Sequence, residues 1–237
     1  MSFISNIKNL SKPTEKTIFG LAWWKWLSIV LLFYSVAAGF LGRVPALPIL
    51  HETIRNLYFH VTMWFAMIII MIVSAVNSIK SLSSGNLKHD ILASEAAHVG
   101  TLLGILGVAT GSLWAKNTWG AWWTNDAKLN GAAVSLLFYF AYILLRDSIK
   151  DQNKKARISA IYNIFAFVMM VVFILILPRM TDSLHPGNGG NPGFDTYDLD
   201  AGMRKIFYPA IIGWTLLFSW ILQLRVRYKV LLLKLND

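Results

Sequence analysis

Four of the ten tryptophans lie within ten consecutive residues, at Trp114, Trp119, Trp122 and Trp123. If this stretch is helical, the last three rings share one face with Asp126, at helical spacings. Such a face is a flat aromatic platform with a carboxylate at one end, which suits a large planar apolar ligand. The alternative is an aromatic belt at a membrane interface. A belt, however, does not need four rings in so short a stretch.

Two histidines stand at the ends of long apolar segments. His60 begins one apolar run, and His185 follows another. Taken singly, His60 is more simply a structural residue and His185 a solvated one, although ionisable groups within a membrane are functional candidates because their burial is costly. Taken with the tryptophans, two neutral imidazoles could occupy both axial positions of a haem iron while the porphyrin rests on the indoles.

Two cations belong to the same candidate site. Arg55 precedes His60, and Lys128 follows the tryptophans. Either could pair with a haem propionate through a charge-assisted hydrogen bond. The alternative is that each is an ordinary cation next to a membrane span.

The composition indicates that these residues belong to an integral membrane protein. Of 237 residues, 56% are hydrophobic and only 14% are charged, and the mean hydropathy is +0.53. Soluble domains carry about 25% charged residues. The excess of 22 Lys and Arg over 12 Asp and Glu therefore predicts basic cytoplasmic loops, not a nucleic-acid partner. Because cysteine is absent, disulfides, thiolate–metal sites and covalent haem attachment are excluded.

The elements that must position the candidate site are membrane-spanning helices. We predict one all-α domain over residues 1–237 with six spans, near 24–41, 57–78, 92–114, 129–145, 158–177 and 207–224. Fifteen of the 22 Lys and Arg then fall on the side of the termini, which predicts that both termini are cytoplasmic. The distinctive loops, tryptophan-rich 115–128 and the Gly-, Asn- and Asp-rich 178–205, share the outer face.

Residues 111–129 resemble the tryptophan-rich WWD signature of haem-handling membrane proteins. Within that group, the six spans and the segments 55–60 and 183–186 are similar to the haem exporter protein C family, also called cytochrome c maturation protein C. The resemblance covers nearly the whole chain at the level of spans and their order.

The resemblance implies a non-enzymatic role in a bacterial inner membrane: haem b is held non-covalently as cargo and passed to a periplasmic haem chaperone. ABC-type transporter subunits would be partners that supply energy, since no Walker sequence occurs here. The implied axial ligands are His60 and His185. The predicted haem-binding set is completed by Trp114, Trp119, Trp122, Trp123, Asp126, Arg55 and Lys128.

The chain departs from that family pattern at three positions. Asn125 stands where the family usually has a third tryptophan, Lys128 where it has arginine, and Asn130 where it has threonine. We therefore expect a platform one ring shorter. Lysine can meet a propionate as a point charge but not as a planar fork. The long loop 178–205 also predicts that His185 is mobile until haem binds.

Other readings are open on the sequence alone. The main alternative is a cytochrome c haem lyase or synthase subunit, although such proteins are generally longer. A second is a proton-coupled small-solute carrier built around Glu95 and His98, which are three residues apart. We expect Glu95 and His98 to form a buried pair that satisfies each other's hydrogen-bonding groups, or to be part of a route from the inner side of the membrane. Glycines at 100, 104, 107 and 111 predict close approach of a neighbouring helix.

Overall fold

The computed structural model describes residues 17–18, 20–47, 49–185 and 199–235. A short antiparallel ribbon, β1 (Thr17–Ile18) and β2 (Leu21–Ala22), precedes the helices. The six long helices are α1 (Trp23–Leu41), α2 (His60–Ser84), α3 (Leu87–Trp119), α4 (Ala127–Ser148), α5 (Gln152–Val171) and α6 (Ala201–Leu235). A 3₁₀ helix, His51–Tyr58, leads into α2; a π-helical turn, Val172–Ile176, and a last turn, Leu177–Met180, extend α5.

All six long helical segments are apolar enough and long enough to cross a membrane, which confirms the predicted six-helix class. Many large apolar side chains point outward, among them Phe33 and Leu144, which are 75% and 72% exposed. In water such a surface would be unusual, whereas lipid solvates it. Residues 186–198 of the predicted outer loop 178–205 lie outside the described residues.

Helix ends follow from local sequence. Asp126 caps the N-terminus of α4, and Asp151 caps that of α5 by accepting from the Lys154 amide. Gly120 ends α3 with φ of +80°, a left-handed conformation that glycine adopts without strain. The tryptophan-rich stretch is therefore helical only to Trp119 and irregular beyond it. The prediction that its last three rings share one helical face with Asp126 is wrong, because Gly120 breaks the helix.

The core lies between α2 and α3, which pack closely along the glycines of α3. A Cβ at Gly100 would lie 2.5 Å from Met71 Cε of α2, and one at Gly104 would lie 2.7 Å from a Leu136 methyl carbon of α4. A side chain at either position would force these neighbours to shift, so the close approach predicted for these glycines is confirmed. The packing is antiparallel: His60 begins α2 and lies near the end of α3.

Ion pairs hold the opposite end of the bundle together. Arg146 of α4 donates two hydrogen bonds to Asp90 of α3, at 2.8 and 2.6 Å, and both side chains are buried. Glu95 accepts from Arg225 of α6 at 2.8 Å. His98 Nδ1 lies 2.8 Å from its own helix, at the Ser94 carbonyl oxygen.

The expected self-satisfying pair of Glu95 and His98 is therefore wrong, because each side chain has a different partner. No group of three His, Cys, Asp or Glu that could hold a metal ion occurs among the described residues. Asp90 and Gly111 are 21 residues apart on α3, roughly 30 Å at 1.5 Å per residue. These ion pairs are thus far from the end of the bundle where His60 lies.

Candidate functional site

A cavity of about 380 Å³ opens at the end of the bundle where α2 begins and α3 ends. Its walls come from α2, α3, the tryptophan-rich stretch, the start of α4 and the π-helical turn, and they are mostly apolar. This size and lining are typical of small-molecule sites in proteins. Six of the nine residues proposed from the sequence line this cavity: His60, His185, Trp114, Trp119, Trp123 and Lys128.

His60 is held on the rigid first turn of α2 and is 8% exposed. Its Nδ1 lies 3.1 Å from Thr110 Oγ1. The Thr110 hydroxyl donates to the Leu106 carbonyl oxygen at 2.8 Å, so its oxygen accepts from the imidazole. This network assigns the proton to Nδ1 and leaves Nε2 as a lone-pair donor, the form that binds a metal.

The glycine stripe of α3 is what lets this histidine lie against the helix. A Cβ at Gly111 would lie 2.6 Å from His60 Cε1, and one at Gly107 would lie 2.7 Å from Trp64 Cε2. The ring of His60 meets Trp114 edge-on, with centroids 5.8 Å apart. Sequence reasoning treated these glycines as packing residues only, although their spacing already marked the face on which His60 rests.

His185 is held from the other side by Asp126. The imidazole Nδ1 donates to Asp126 Oδ1 at 3.0 Å, and the ring meets Trp119 edge-on at 5.1 Å between centroids. The other carboxylate oxygen accepts from the Ser183 hydroxyl and the Leu184 amide, each at 2.8 Å. This arrangement again places the proton on Nδ1 and leaves Nε2 unprotonated, with a lone pair that can bind a metal. A carboxylate behind an imidazole fixes its tautomer and the orientation of its ring.

Asp126 itself faces His185 and the backbone, not the cavity. Its side chain is fully buried and also caps α4, accepting from the Lys128 and Leu129 amides. Burial raises the pKa of Asp126, but the hydrogen bonds from His185, Leu184 and Ser183 outweigh that effect and hold the pKa well below its usual value. The residue is therefore a carboxylate at neutral pH.

The remaining tryptophans have different surroundings. The indole N–H of Trp114 donates to Thr53 Oγ1 at 3.1 Å and ties α3 to the 3₁₀ helix. Trp122 is 58% exposed and is absent from the cavity wall. Trp123 lines the cavity, and its indole N–H donates to Asn130 Oδ1 at 3.3 Å. Asn130 in turn donates to Asn125 Oδ1 at 2.7 Å. Two of the three departures from the family signature thus bond to each other, and one of them, Asn130, also bonds to Trp123.

The two candidate cations are not equivalent. Lys128 lines the cavity. Arg55 does not: its Nη1 donates to the carbonyl oxygens of Gly39 and Gly42, at 2.8 and 2.6 Å, and it forms an ion pair with Glu52. Arg55 therefore holds the end of α1 against the 3₁₀ helix. Arg179, which sequence reasoning did not single out, does line the cavity.

Two imidazoles that line one tryptophan-walled cavity, each with Nδ1 hydrogen-bonded, could bind a single metal centre together. The fold and this cavity together define a six-helix membrane protein with two histidines on the wall of one apolar, aromatic cavity.

Comparison with known proteins agrees with that class. The family model described as "Heme exporter protein C" matches residues 6–237. The chain is 25% identical over 210 residues to the Heme exporter protein C of Rhodobacter capsulatus, covering 84% of this chain and 86% of that one. It is 26% identical over 212 residues to that of Escherichia coli K12, covering 90% and 84%. This chain belongs to the haem exporter protein C family.

One relative carries a different description. The Cytochrome c biogenesis protein CcsA of Prochlorococcus marinus is 36% identical over 85 residues, which is 36% of this chain and 26% of that one. The similarity to that protein is therefore confined to a segment.

Proposed function

We propose that this protein handles haem as cargo in cytochrome c biogenesis, and that it binds haem between His60 and His185. The observation that carries the proposal is that the two imidazoles line one cavity and that each has its Nδ1 next to a hydrogen-bond acceptor, Thr110 or Asp126. Family membership supports the same cargo. The donor set fits haem, since two neutral imidazoles and an apolar, aromatic wall suit an iron porphyrin.

The two ligands differ in how firmly the protein holds them. His60 stands on a helix and is packed against Gly111. His185 lies in an irregular segment and is held by Asp126 and Ser183. We infer that His60 anchors the iron and that His185 is the ligand that leaves when haem is passed on. A carrier needs one firm and one releasable ligand, because cargo must be both captured and surrendered.

We further propose that the cavity faces the periplasm and that both termini are in the cytoplasm of the bacterial inner membrane. The support is the distribution of Lys and Arg, of which fifteen of 22 fall on the terminal side. Haem b would then pass to a periplasmic haem chaperone, with ABC-type transporter subunits supplying energy. The role is transport, not catalysis, as the names of the relatives suggest.

The alternatives receive less support. A haem lyase or synthase subunit would share the cavity, but the similarity to the CcsA protein covers only 26% of that chain. A carrier built around Glu95 and His98 would need the two side chains to act together. Instead Glu95 pairs with Arg225, and His98 with a carbonyl oxygen of its own helix.

The test is a haem titration of the purified protein in detergent. The wild type should give the Soret and visible bands of low-spin haem with two imidazole ligands. His60→Ala and His185→Ala should each give a high-spin spectrum, and added imidazole should restore the low-spin bands. Trp122→Ala is the matched control, because this exposed indole is outside the cavity wall and its loss should leave the spectrum unchanged. A wild type that binds no haem would refute the proposal, as would low-spin bands in either histidine variant without imidazole.

A further inference from the structure

The charges on the cavity wall come from two basic side chains. Lys128 lies in the first turn of α4, and Arg179 lies in the turn Leu177–Met180. No Asp or Glu is among the described residues that line the cavity. The wall therefore combines an apolar body with two cations, a pattern that suits an apolar ligand carrying two anionic groups.

The position of Arg179 follows from the π-helical turn Val172–Ile176. This turn packs tightly on α4, where a Cβ at Gly131 would lie 2.2 Å from the Phe173 carbonyl oxygen. Its residues Ile174 and Leu175 form part of the cavity wall. Arg179 is four residues after Leu175, hence on the same face, and its guanidinium donates to the Leu175 carbonyl oxygen. A π-helical turn inside a helix often marks a functional position, because it re-aims the residues that follow.

We propose that Arg179 and Lys128 bind the two propionate carboxylates of haem, so that Arg179 takes the part that the sequence suggested for Arg55. This inference rests on the proposed function and adds a binding residue to it. The difference between the two arginines is their position: Arg179 lines the cavity, whereas Arg55 lies outside the cavity wall and holds the end of α1. An arginine offers a planar fork that matches a carboxylate, and a lysine offers a point charge.

The experiment compares haem with haem dimethyl ester, in which both propionates are esterified. Wild-type protein should bind haem about tenfold more tightly than the ester, or more, since each charge-assisted hydrogen bond contributes to the free acid only. Arg179→Gln should weaken haem binding roughly tenfold and leave ester binding unchanged. Arg179→Lys should fall between the two. All of these proteins should keep the low-spin spectrum, because the iron ligands are intact.

Two further arginine variants serve as controls. Arg43 is exposed in the connection after α1 and is absent from the cavity wall, so Arg43→Gln should keep the wild-type preference for haem over the ester. Arg55→Gln should lower the unfolding temperature, since it removes bonds to Gly39 and Gly42, but it should also keep the preference.

The outcomes separate this inference from the proposed function. If Arg179→Gln weakens haem and its ester equally, Arg179 is a structural residue and the inference fails. If the variant binds both as the wild type does, or if Arg55→Gln alone removes the preference, the inference also fails. In each of these cases haem binding by the wild type would still uphold the proposed function. A wild type that binds neither compound would instead refute the proposed function and this inference with it.

Discussion

Replacing Asp126 by asparagine would separate its two roles, as the cap of α4 and as the acceptor for His185. The carboxylate accepts from two backbone amides of α4 at Oδ1 and from Ser183 and Leu184 at Oδ2. Asparagine is as good an N-cap as aspartate, so its single oxygen can keep the helix. Its amide group then faces the Leu184 amide, donor against donor, and the segment that carries His185 loses its anchor.

The magnitude follows from the bonds lost. The Leu184 amide is only partly buried, so leaving it unsatisfied costs about 1–2 kcal/mol, the lower part of the range for buried groups. The bond from His185 loses its charge assistance, about half its strength or roughly 1 kcal/mol. Together these changes come to roughly 2–3 kcal/mol, or about 30- to 150-fold at 1.36 kcal/mol per tenfold. Changes behind a metal ligand generally cost about 10- to 100-fold in affinity. We therefore expect Asp126→Asn to weaken haem binding by about that factor.

The assay is a Soret titration combined with the rate at which haem leaves for an excess of a high-affinity haem scavenger. Under the proposal that His185 is the releasable ligand, Asp126→Asn should act mainly by speeding release. Asp126→Ala should weaken haem binding similarly and lower the unfolding free energy by a further 0.5–2 kcal/mol or so, since the cap is lost as well. Asp151→Asn is the matched control: this aspartate also caps a helix, α5, but it lies at the opposite end of the bundle from His185.

Two results would refute this reasoning. Wild-type haem affinity in Asp126→Asn would mean that the contact with His185 contributes nothing to ligand binding. A lowered unfolding free energy in Asp126→Ala, with haem release unchanged, would mean that Asp126 acts only as a helix cap.

The other predictions concern His60. Gly111→Ala should displace the His60 imidazole, because the new Cβ would lie 2.6 Å from His60 Cε1, and should therefore abolish the low-spin haem spectrum. Gly104→Ala is the control: its new Cβ meets a Leu136 methyl group, so it should lower the unfolding temperature and keep the low-spin spectrum. A low-spin spectrum in Gly111→Ala would contradict this prediction, because it would mean that α2 and α3 can move apart and still leave His60 able to bind the iron. Thr110→Val should weaken haem binding roughly tenfold, because the buried Nδ1–H loses its acceptor. Unchanged affinity in that titration would mean that Thr110 does not set the tautomer.

The sequence determined the parts of this protein that depend on local composition. A membrane span depends only on the hydropathy of about 20 consecutive residues, so the six spans were predictable from the sequence. The glycine spacing of α3 predicted a close helix contact, since small residues at helical spacing share a face. The residue types at 60 and 185 made both histidines candidate metal ligands, and that role stays a prediction.

Tertiary structure decided the contacts that join distant residues. Asp126 and His185 are 59 positions apart, and no local pattern says that one holds the other. The sequence suggested Arg55 as a cation for a haem propionate, but in the structure its guanidinium bonds to the end of α1. Arg179 instead lies on the cavity wall, next to the π-helical turn that packs on Gly131. Periodicity reports which face a residue occupies on its own helix. Only the packing of helices against one another decides which faces meet, and hence which side chains share a cavity.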